Sequence, residues 1–194
     1  MSQVRSICVY CGSSDRGPAA HRAAARHLGR LMAESGIQLV FGGGRVGLMG
    51  TIADSAMQAG GRVVGIIPEH LVRAEVGHAD VSELIVVANM HTRKEIMFTR
   101  ADGFVVLPGG PGTLDELFEI LTWRQLGLHD KPVVIVNLDG YWDTLIALIE
   151  SMIETDYARP SFRDFYTVVG RVEDVIPALR AATEPRVAAQ TARL

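Results

Sequence analysis

The sequence has few of the residues on which several functional classes depend. Among its 194 residues two are cysteines, 6% are aromatic, and the formal net charge at pH 7 is −3. A charge so close to balance gives no indication of a nucleic-acid or membrane-surface partner. No apolar run is long enough to cross a bilayer, and the first residues enter a strand without signal-peptide anatomy. We therefore expect a cytoplasmic protein that binds neither nucleic acid nor membrane.

The two cysteines have the CxxC spacing of redox and metal sites, but their setting suits neither role. Cys8 falls within an apolar strand and Cys11 at its end, so their odd offset sends the side chains to opposite faces. A thioredoxin-type pair belongs at a helix N-terminus, and a zinc site needs a second pair of ligands. The six histidines show no HExxH spacing. We expect no metal site, and we expect the histidines in loops or on the surface.

Apolar runs alternate with helical patterns along the chain, which predicts an α/β protein. The predicted strands are Val4–Tyr10, Ile37–Phe41, Val63–Ile67, Leu84–Val87, Phe104–Leu107, Val133–Val136 and Tyr166–Val169. The predicted helices are Pro18–Ser35, Leu48–Ala59, Met90–Ala101, one that begins at Thr113, Trp142–Ile153 and Val172–Ala182. Continuous apolar strands separated by helices indicate a Rossmann-like, doubly wound parallel sheet. We expect a single domain over 1–182, an irregular loop over 69–82 and a mobile tail over 183–194.

The most informative stretch is the glycine-rich turn PGGPG at 108–112, between a predicted strand and the helix that begins at Thr113. Glycines let backbone N–H groups approach a ligand, and a helix N-terminus supplies partial positive charge, so the turn predicts an anion site, most often for phosphate. Asp115 and Glu116 follow directly, which suggests that a ribose beside the phosphate is held or cleaved. The alternative is that the glycines form only a tight turn and the acids only favour the helix dipole.

A second glycine loop follows the second predicted strand. Gly42, Gly44 and Gly47 fit the GxGxxG pattern of dinucleotide-binding proteins, and Glu69 stands where a ribose-binding acid would be expected. Three features argue against an NAD-binding oxidoreductase. The motif does not follow the first strand, Pro68 directly precedes the acid, and no separate catalytic domain follows. A Walker A lysine is also missing, which argues against hydrolysis of a nucleoside triphosphate.

The helix predicted from Met90 places two adjacent cations, Arg93 and Lys94, near the carboxyl end of a strand. Methionines share their helix side, which is unusual for a solvated face. Arg93 is the better candidate to contact a phosphate or a purine, because its planar guanidinium binds anions in two places and stacks on bases. The alternative is that both cations only begin a surface helix.

Three motifs in this order resemble those of the LOG family, the cytokinin riboside 5′-monophosphate phosphoribohydrolases. They are GGGRVGLMG at 42–50, MHTRK at 90–94, and PGGPGTLDE at 108–116, which matches PGGxGTxxE. The resemblance extends from about residue 11 to about residue 136. Members were formerly described as lysine decarboxylases, yet no lysine here is placed to form a Schiff base with a pyridoxal cofactor.

The resemblance implies hydrolysis of the N-glycosidic bond of AMP or an N6-substituted adenosine monophosphate, with release of free base and ribose 5-phosphate. It places the catalytic pair at Arg93 and Glu116, with no cofactor, and it implies a homodimer or larger homo-oligomer. The oxocarbenium-like sugar of such a reaction calls for a nearby carboxylate. The residues that we expect to contact substrate are Lys94, Gly109, Gly110, Pro111, Gly112, Thr113, Leu114, Asp115, Thr122, Gly43, Gly44, Ser13 and Met90.

Two other functions stay open at this point. One is a carrier that binds a nucleotide or a phosphate-bearing cofactor without turnover, as in the related molybdenum-cofactor carriers. The other is the NAD-binding oxidoreductase. The sequence also leaves open whether AMP or a prenylated nucleotide is the substrate, and whether the purpose is cytokinin biosynthesis or purine salvage.

Overall fold

The core of the molecule is one seven-stranded sheet in which every strand runs parallel to its neighbours. The computed structural model describes residues 4–72 and 77–182. Its strands are β1 (Ser6–Tyr10), β2 (Gln38–Phe41), β3 (Val63–Pro68), β4 (Glu83–Val87), β5 (Gly103–Val106), β6 (Val133–Val136) and β7 (Thr167–Val169). Their order across the sheet is β4-β3-β2-β1-β5-β6-β7. The predicted Rossmann-like, doubly wound architecture is confirmed.

Helices connect the strands and cover the sheet. They are α1 (Ala19–Glu34), α2 (Gly47–Gln58), α3 (Glu69–Val72), α4 (Met90–Thr99), α5 (Pro111–Gln125), α6 (Asp143–Glu154) and α7 (Val175–Ala181). Short 3-10 helices lie at Leu138–Gly140, Pro160–Phe165 and Val172–Asp174. No helix of the described residues is both long and apolar enough to span a membrane.

The central strands are buried on both faces, as their unbroken apolar sequence predicts. The two faces carry separate core clusters. Cys8 belongs to one cluster and Cys11 to the other, and both thiols are free and buried. The opposite orientation expected from their odd offset is therefore confirmed.

The strand order places the topological switch point between β1 and β5. From β1 the chain adds β2, β3 and β4 on one side, and it then returns to place β5 on the other side of β1. In open α/β sheets ligands bind beyond the carboxyl ends of the strands at such a point. The turn after β1 and the PGGPG turn after β5 meet here, and the Gly12 amide donates to the Pro108 carbonyl oxygen at 3.0 Å.

Three predicted boundaries need correction. Glu69–Val72 forms the short helix α3, where an irregular loop was expected, because the chain turns into helix directly at the end of β3. Helix α5 begins at Pro111 rather than at Thr113, since proline is compatible with a first helical turn. The last predicted helix divides into a 3-10 turn and α7. The predicted tail, and Glu75 in the predicted loop, lie outside the described residues.

Candidate active site

The turn between β5 and α5 forms an open cradle for an anion. Gly110 is the N-cap of α5, and no side chain caps the amides of that helix end. Gly109 cannot carry a side chain, because a Cβ there would lie 2.1 Å from the Thr113 hydroxyl oxygen and 3.0 Å from the Gly12 nitrogen. Thr113 itself is buried, so its hydroxyl lies under the turn. Uncapped amides, the helix dipole and close packing are the features that an anion site at this turn requires, and the binding of an anion here stays a prediction.

The other glycine loop is arranged differently, because the protein's own groups occupy the start of its helix. The Gly47 amide donates to the Asp15 carboxylate at 2.9 Å, and the Leu48 amide donates to the Gly12 carbonyl oxygen at 2.9 Å. A Cβ on Gly47 would lie 2.5 Å from the Ser13 backbone. The start of α2 is thus packed against the turn after β1, which disfavours the binding of a dinucleotide pyrophosphate there.

Arg93 is buried, and backbone carbonyl groups hold its guanidinium at the carboxyl ends of two strands. Its Nε donates to the Ile66 carbonyl oxygen at 3.2 Å, and its Nη2 donates to the Gly42 carbonyl oxygen at 2.8 Å. The third nitrogen, Nη1, lies 3.6 Å from the Met90 sulfur, which is a weak acceptor. Nη1 is therefore the nitrogen with the most capacity left for a ligand.

The adjacent Lys94 binds two carboxylates of α5. Its Nζ lies 3.1 Å from Asp115 Oδ2 and 3.0 Å from Glu119 Oε1, and its side chain is 12% exposed. Burial lowers the pKa of Lys94, but the hydrogen bonds that its ammonium donates to Glu119 and Asp115 outweigh this effect, so the pKa is raised. Lys94 thus links α4 to α5 as a permanent cation.

Glu116 lies one turn beyond Thr113 on α5 and is half-buried. Its carboxylate acts on the end of β1: burial raises the pKa of Cys11, and the charge of Glu116 raises it further. Burial also raises the pKa of Cys8, where Glu116 adds to the rise and Arg93 opposes it. Glu116 and Arg93 therefore both lie within electrostatic reach of Cys8 in β1.

The remaining predicted contacts divide into two groups. Leu114 and the PGGPG residues lie in the first turns of α5 or in the turn before it, Met90 contacts Arg93 through its sulfur, and Ser13 lies in the turn after β1 against Gly47. Gly43 and Gly44 are buried, and their backbone is already used: the Gly43 carbonyl oxygen accepts from His78, and Gly44 forms a bridge with Gly77.

Thr122 is the predicted contact that lies farthest from the cradle. It is exposed on the outer face of α5, about two and a half turns beyond Thr113. Within one subunit the chain does not bring Thr122 to the anion site, so its role stays a prediction that a second subunit would have to fulfil.

Sequence reasoning missed Tyr141 and underrated His78. The Tyr141 hydroxyl donates to the Gly109 carbonyl oxygen at 2.7 Å, which orients a peptide of the anion cradle. His78 is 2% exposed, and its Nε2 lies 2.8 Å from Asp54 Oδ1, so it is a buried residue and not a surface one. Neither contact leaves a local sequence signal, because each joins segments more than 20 residues apart.

Within residues 4–72 and 77–182, no group of three or more metal-ligating side chains could hold an ion. The features that the structure does bring to this region are an uncapped helix N-terminus, two cations and a set of carboxylates. This combination suits a phosphorylated sugar whose ring acquires positive charge.

Comparison with known proteins places this arrangement in a family. The family model described as "Possible lysine decarboxylase" matches residues 49–179. A cytokinin riboside 5′-monophosphate phosphoribohydrolase of Arabidopsis thaliana is 40% identical over 92% of the chain and 83% of its own length. A probable enzyme of the same name from rice is 41% identical over 93% of the chain and 72% of its own length. The chain belongs to the LOG family.

Solved structures resemble this LOG-family chain in fold. The molybdenum cofactor binding protein of Rippkaea orientalis superposes with a TM-score of 0.69 at 22% identity, over 93% of the chain and 98% of its own. The molybdenum-cofactor carrier protein of Chlamydomonas reinhardtii gives a TM-score of 0.68 at 22% identity, over 92% and 97%. At this identity the likeness concerns the fold alone.

Proposed function

We propose that the protein hydrolyses the N-glycosidic bond of an adenosine 5′-monophosphate, N6-substituted or not, and releases the free base and ribose 5-phosphate. The observation that carries the proposal is the uncapped N-terminus of α5 with Glu116 one turn behind it, together with Arg93 held on the Gly42 carbonyl oxygen at the carboxyl end of β2. The names of the curated relatives, which are phosphoribohydrolases of cytokinin riboside 5′-monophosphates, support the same reaction.

Substrate binding follows from the polarity of the cradle. The 5′-phosphate binds the amides at the start of α5, where the helix dipole and the unsatisfied N–H groups favour an anion. The Tyr141 hydroxyl holds the Gly109 carbonyl group, so that the peptide is already oriented before the phosphate arrives. The ribose then lies over the first turn of α5, against the Glu116 carboxylate.

Chemistry requires that the bond between the sugar C1′ and the base nitrogen breaks while the sugar becomes positively charged. The carboxylate of Glu116 stabilises this cation and orients the attacking water, whose oxygen bonds to C1′ and whose released proton passes to the departing base. Arg93 donates from Nη1 to the departing purine, which takes the electron pair of the broken bond. The carbonyl oxygens of Gly42 and Ile66 keep the guanidinium in place. The enzyme class is that of an N-glycosidase.

A pyridoxal-dependent decarboxylase fits the lysines poorly, although the family description names that activity. A Schiff-base lysine needs a depressed pKa, whereas the pKa of Lys94 is raised by its two carboxylate partners. Burial lowers the pKa of Lys131, but its Nζ donates to the Phe98 carbonyl oxygen and lies 4.0 Å from the Phe98 ring centre. Lys131 lies just before β6 and so lies at the amino-terminal end of the strands, whereas the anion cradle lies at their carboxyl end.

We also propose that two copies assemble through the outer face of α5. A shallow groove of about 550 Å³ runs along that face, with a largely apolar lining. Its residues are Pro111, Leu114, Asp115, Phe118, Glu119, Thr122 and Trp123. A partner on this face would lie beside the cradle and bring its own helix to it. Leu114→Asp should shift the mass measured by light scattering from that of a dimer to that of a monomer.

The variant Glu116→Gln tests whether the carboxylate behind the helix N-terminus is needed for hydrolysis. The amide keeps the size of the side chain and one acceptor oxygen, but it replaces the other oxygen by a donor and loses the charge. We expect nucleotide affinity within a few-fold of the wild type and turnover lower by roughly 10²-fold or more, as for removal of one electrostatic contact to a transition state. Calorimetric titration with AMP and a single-turnover assay measure the two quantities. A near-normal rate in this variant would refute the role of Glu116 and leave a carrier function as the alternative.

A further inference from the structure

A second cavity lies at the amino-terminal end of the parallel strands, whereas the anion cradle lies at their carboxyl end. Its volume is about 280 Å³, and it is enclosed by the first residues of β6 and β7, the 3-10 helix at 160–165 and the end of α7. Its lining includes Arg124, Asp164, Phe165, Tyr166 and Thr167. Nothing in the proposed reaction uses this cavity.

Arg124 is the charged group of this cavity that is most buried, at 7% exposure. Its Nη1 donates to the Lys131 carbonyl oxygen at 2.8 Å, and its guanidinium carbon lies 5.9 Å from the centre of the Phe165 ring. Its Nε is buried and has no acceptor among the described residues. No described carboxylate lies within ion-pair distance of the guanidinium.

A buried cation without a counter-ion is costly, so the protein gains free energy when an anion enters beside it. The pKa of Arg124 is lowered by burial, which the charge of Asp130 opposes only in part. A guanidinium presents a planar set of donors that matches the oxygen spacing of a carboxylate or phosphate. Asp164 also lines the cavity, but its side chain is exposed, so water screens its charge.

We propose that this cavity is a binding site for a small oxyanion, with the Arg124 guanidinium as its charged anchor. The volume is below that of typical pockets for drug-sized ligands, so it suits inorganic phosphate or a short carboxylate and not a nucleotide. The site is distinct from the active site, because Arg124 follows Thr113 by 11 positions on α5, about 16 Å along the helix axis. Tyr166 and Thr167, which carry hydroxyl groups, belong to the same lining.

The direct test is an NMR titration of the arginine Nε–H groups in the wild-type protein. The Arg124 resonance is assigned by its disappearance in Arg124→Lys. Sodium phosphate and sodium acetate are added separately at constant ionic strength, with sodium chloride as the reference. We expect the Arg124 resonance to shift in a saturable manner with at least one oxyanion, and the stronger of the two shows whether phosphate or carboxylate is preferred.

Two outcomes would overturn the proposal. In the first, the Arg124 resonance does not move when the oxyanion reaches about 50-fold molar excess over the protein, on the order of tens of millimolar, which would reveal a weak site. In the second, chloride shifts the resonance as much as the oxyanions do. A thermal-shift assay gives a second readout. Phosphate should raise the Tm of the wild type and of Arg30→Met, a control variant at an exposed arginine, by similar amounts. The increase should be smaller in Arg124→Met, because phosphate can then bind only at the cradle. Equal increases in all three proteins would contradict a site at Arg124.

Discussion

Gly42→Ala places a single methyl group where the guanidinium of Arg93 now lies. A Cβ on Gly42 would be 2.0 Å from Arg93 Nη2 and 3.2 Å from the Met49 sulfur. Arg93 is 6% exposed, so the guanidinium has little room to retreat. We expect it to lose its hydrogen bonds to the carbonyl oxygens of Gly42 and Ile66. Each is a bond to a charged group, worth about 1.5–3 kcal/mol, so stability should fall by about 3 kcal/mol or more.

For a chain of this size a loss of about 3 kcal/mol corresponds to a Tm lower by about 6–12 °C. If Arg93 assists departure of the base, kcat/KM for AMP should fall by roughly 10²-fold or more. Calorimetry measures the Tm, and chromatography of released adenine measures the rate. In the double variant Gly42→Ala/Arg93→Ala the rate should equal that of Arg93→Ala alone, because both changes remove the same interaction.

Gly170→Ala is the matched control, because a Cβ at Gly170 has no atom within 4 Å and the residue lies outside the site. It should keep both the Tm and the rate of the wild type. Wild-type Tm and kcat/KM in Gly42→Ala would refute the reasoning, since they would mean that Arg93 moves aside at no cost or that its position does not matter.

Three further predictions concern the cradle, the contact between His78 and Asp54, and the pH dependence of stability. Gly109→Ala puts a Cβ 2.1 Å from the Thr113 hydroxyl oxygen, so it should distort the cradle and raise the KM for AMP at least tenfold, measured by steady-state kinetics. His78→Leu removes the 2.8 Å contact with Asp54 and should lower the free energy of unfolding by about 1–3 kcal/mol, measured by urea denaturation. Burial lowers the pKa of His129, so as the pH falls the unfolded chain binds a proton at a higher pH than the folded protein does. The free energy of unfolding should therefore decrease as the pH drops below about 6.5. His129→Gln should make this decrease smaller, as measured by calorimetric scans at several pH values.

Each of these has a control and an outcome that would contradict it. Gly17→Ala, where a Cβ meets no atom within 4 Å, should leave the KM unchanged, and an equal KM in Gly109→Ala would argue against a phosphate at the cradle. Asp54→Asn retains a hydrogen-bond acceptor and should lower the free energy of unfolding less than His78→Leu does. A larger loss in Asp54→Asn would show that the contact between His78 and Asp54 does not cause the destabilisation. An unchanged pH profile in His129→Gln would assign the acid sensitivity to other groups.

The geometry around His129 gives the physical reason for its titration. Its Nε2 donates to the Ile120 carbonyl oxygen at 2.8 Å, while its Nδ1 accepts from the Lys131 amide at 3.2 Å. This arrangement uses the neutral imidazole, with one nitrogen as donor and the other as acceptor. Protonation of Nδ1 would place two donors opposite each other, so the folded state resists it.

The sequence was sufficient to predict what depends on local pattern. Unbroken apolar runs such as Val133–Val136 predicted buried parallel strands, and the odd offset of Cys8 and Cys11 predicted opposite faces. The strand, turn and helix around 108–112 were also predictable, because they are consecutive in the chain, while the anion expected at that turn stays a prediction.

Contacts between distant segments could not be predicted in this way. The Asp15 carboxylate caps the start of α2 from the turn after β1, and this contact distinguishes the occupied helix end from the open one. Tyr141 reaches Gly109 across 32 positions, and His78 reaches Asp54 across 24. Each depends on the strand order, which places β6 beside β5 and the loop after β3 beside α2. Helix α3 was missed for a different reason, since four residues are too few to show a helical period.

The measurement that tests the central claim most directly is a product assay of the purified protein. AMP and isopentenyladenosine monophosphate are incubated side by side, and free base and ribose 5-phosphate are quantified by chromatography. We expect equimolar base and ribose 5-phosphate from at least one of them, and the ratio of the two rates shows whether AMP or the N6-substituted nucleotide is preferred. Tight binding of both nucleotides without release of base from either would contradict the proposed hydrolysis.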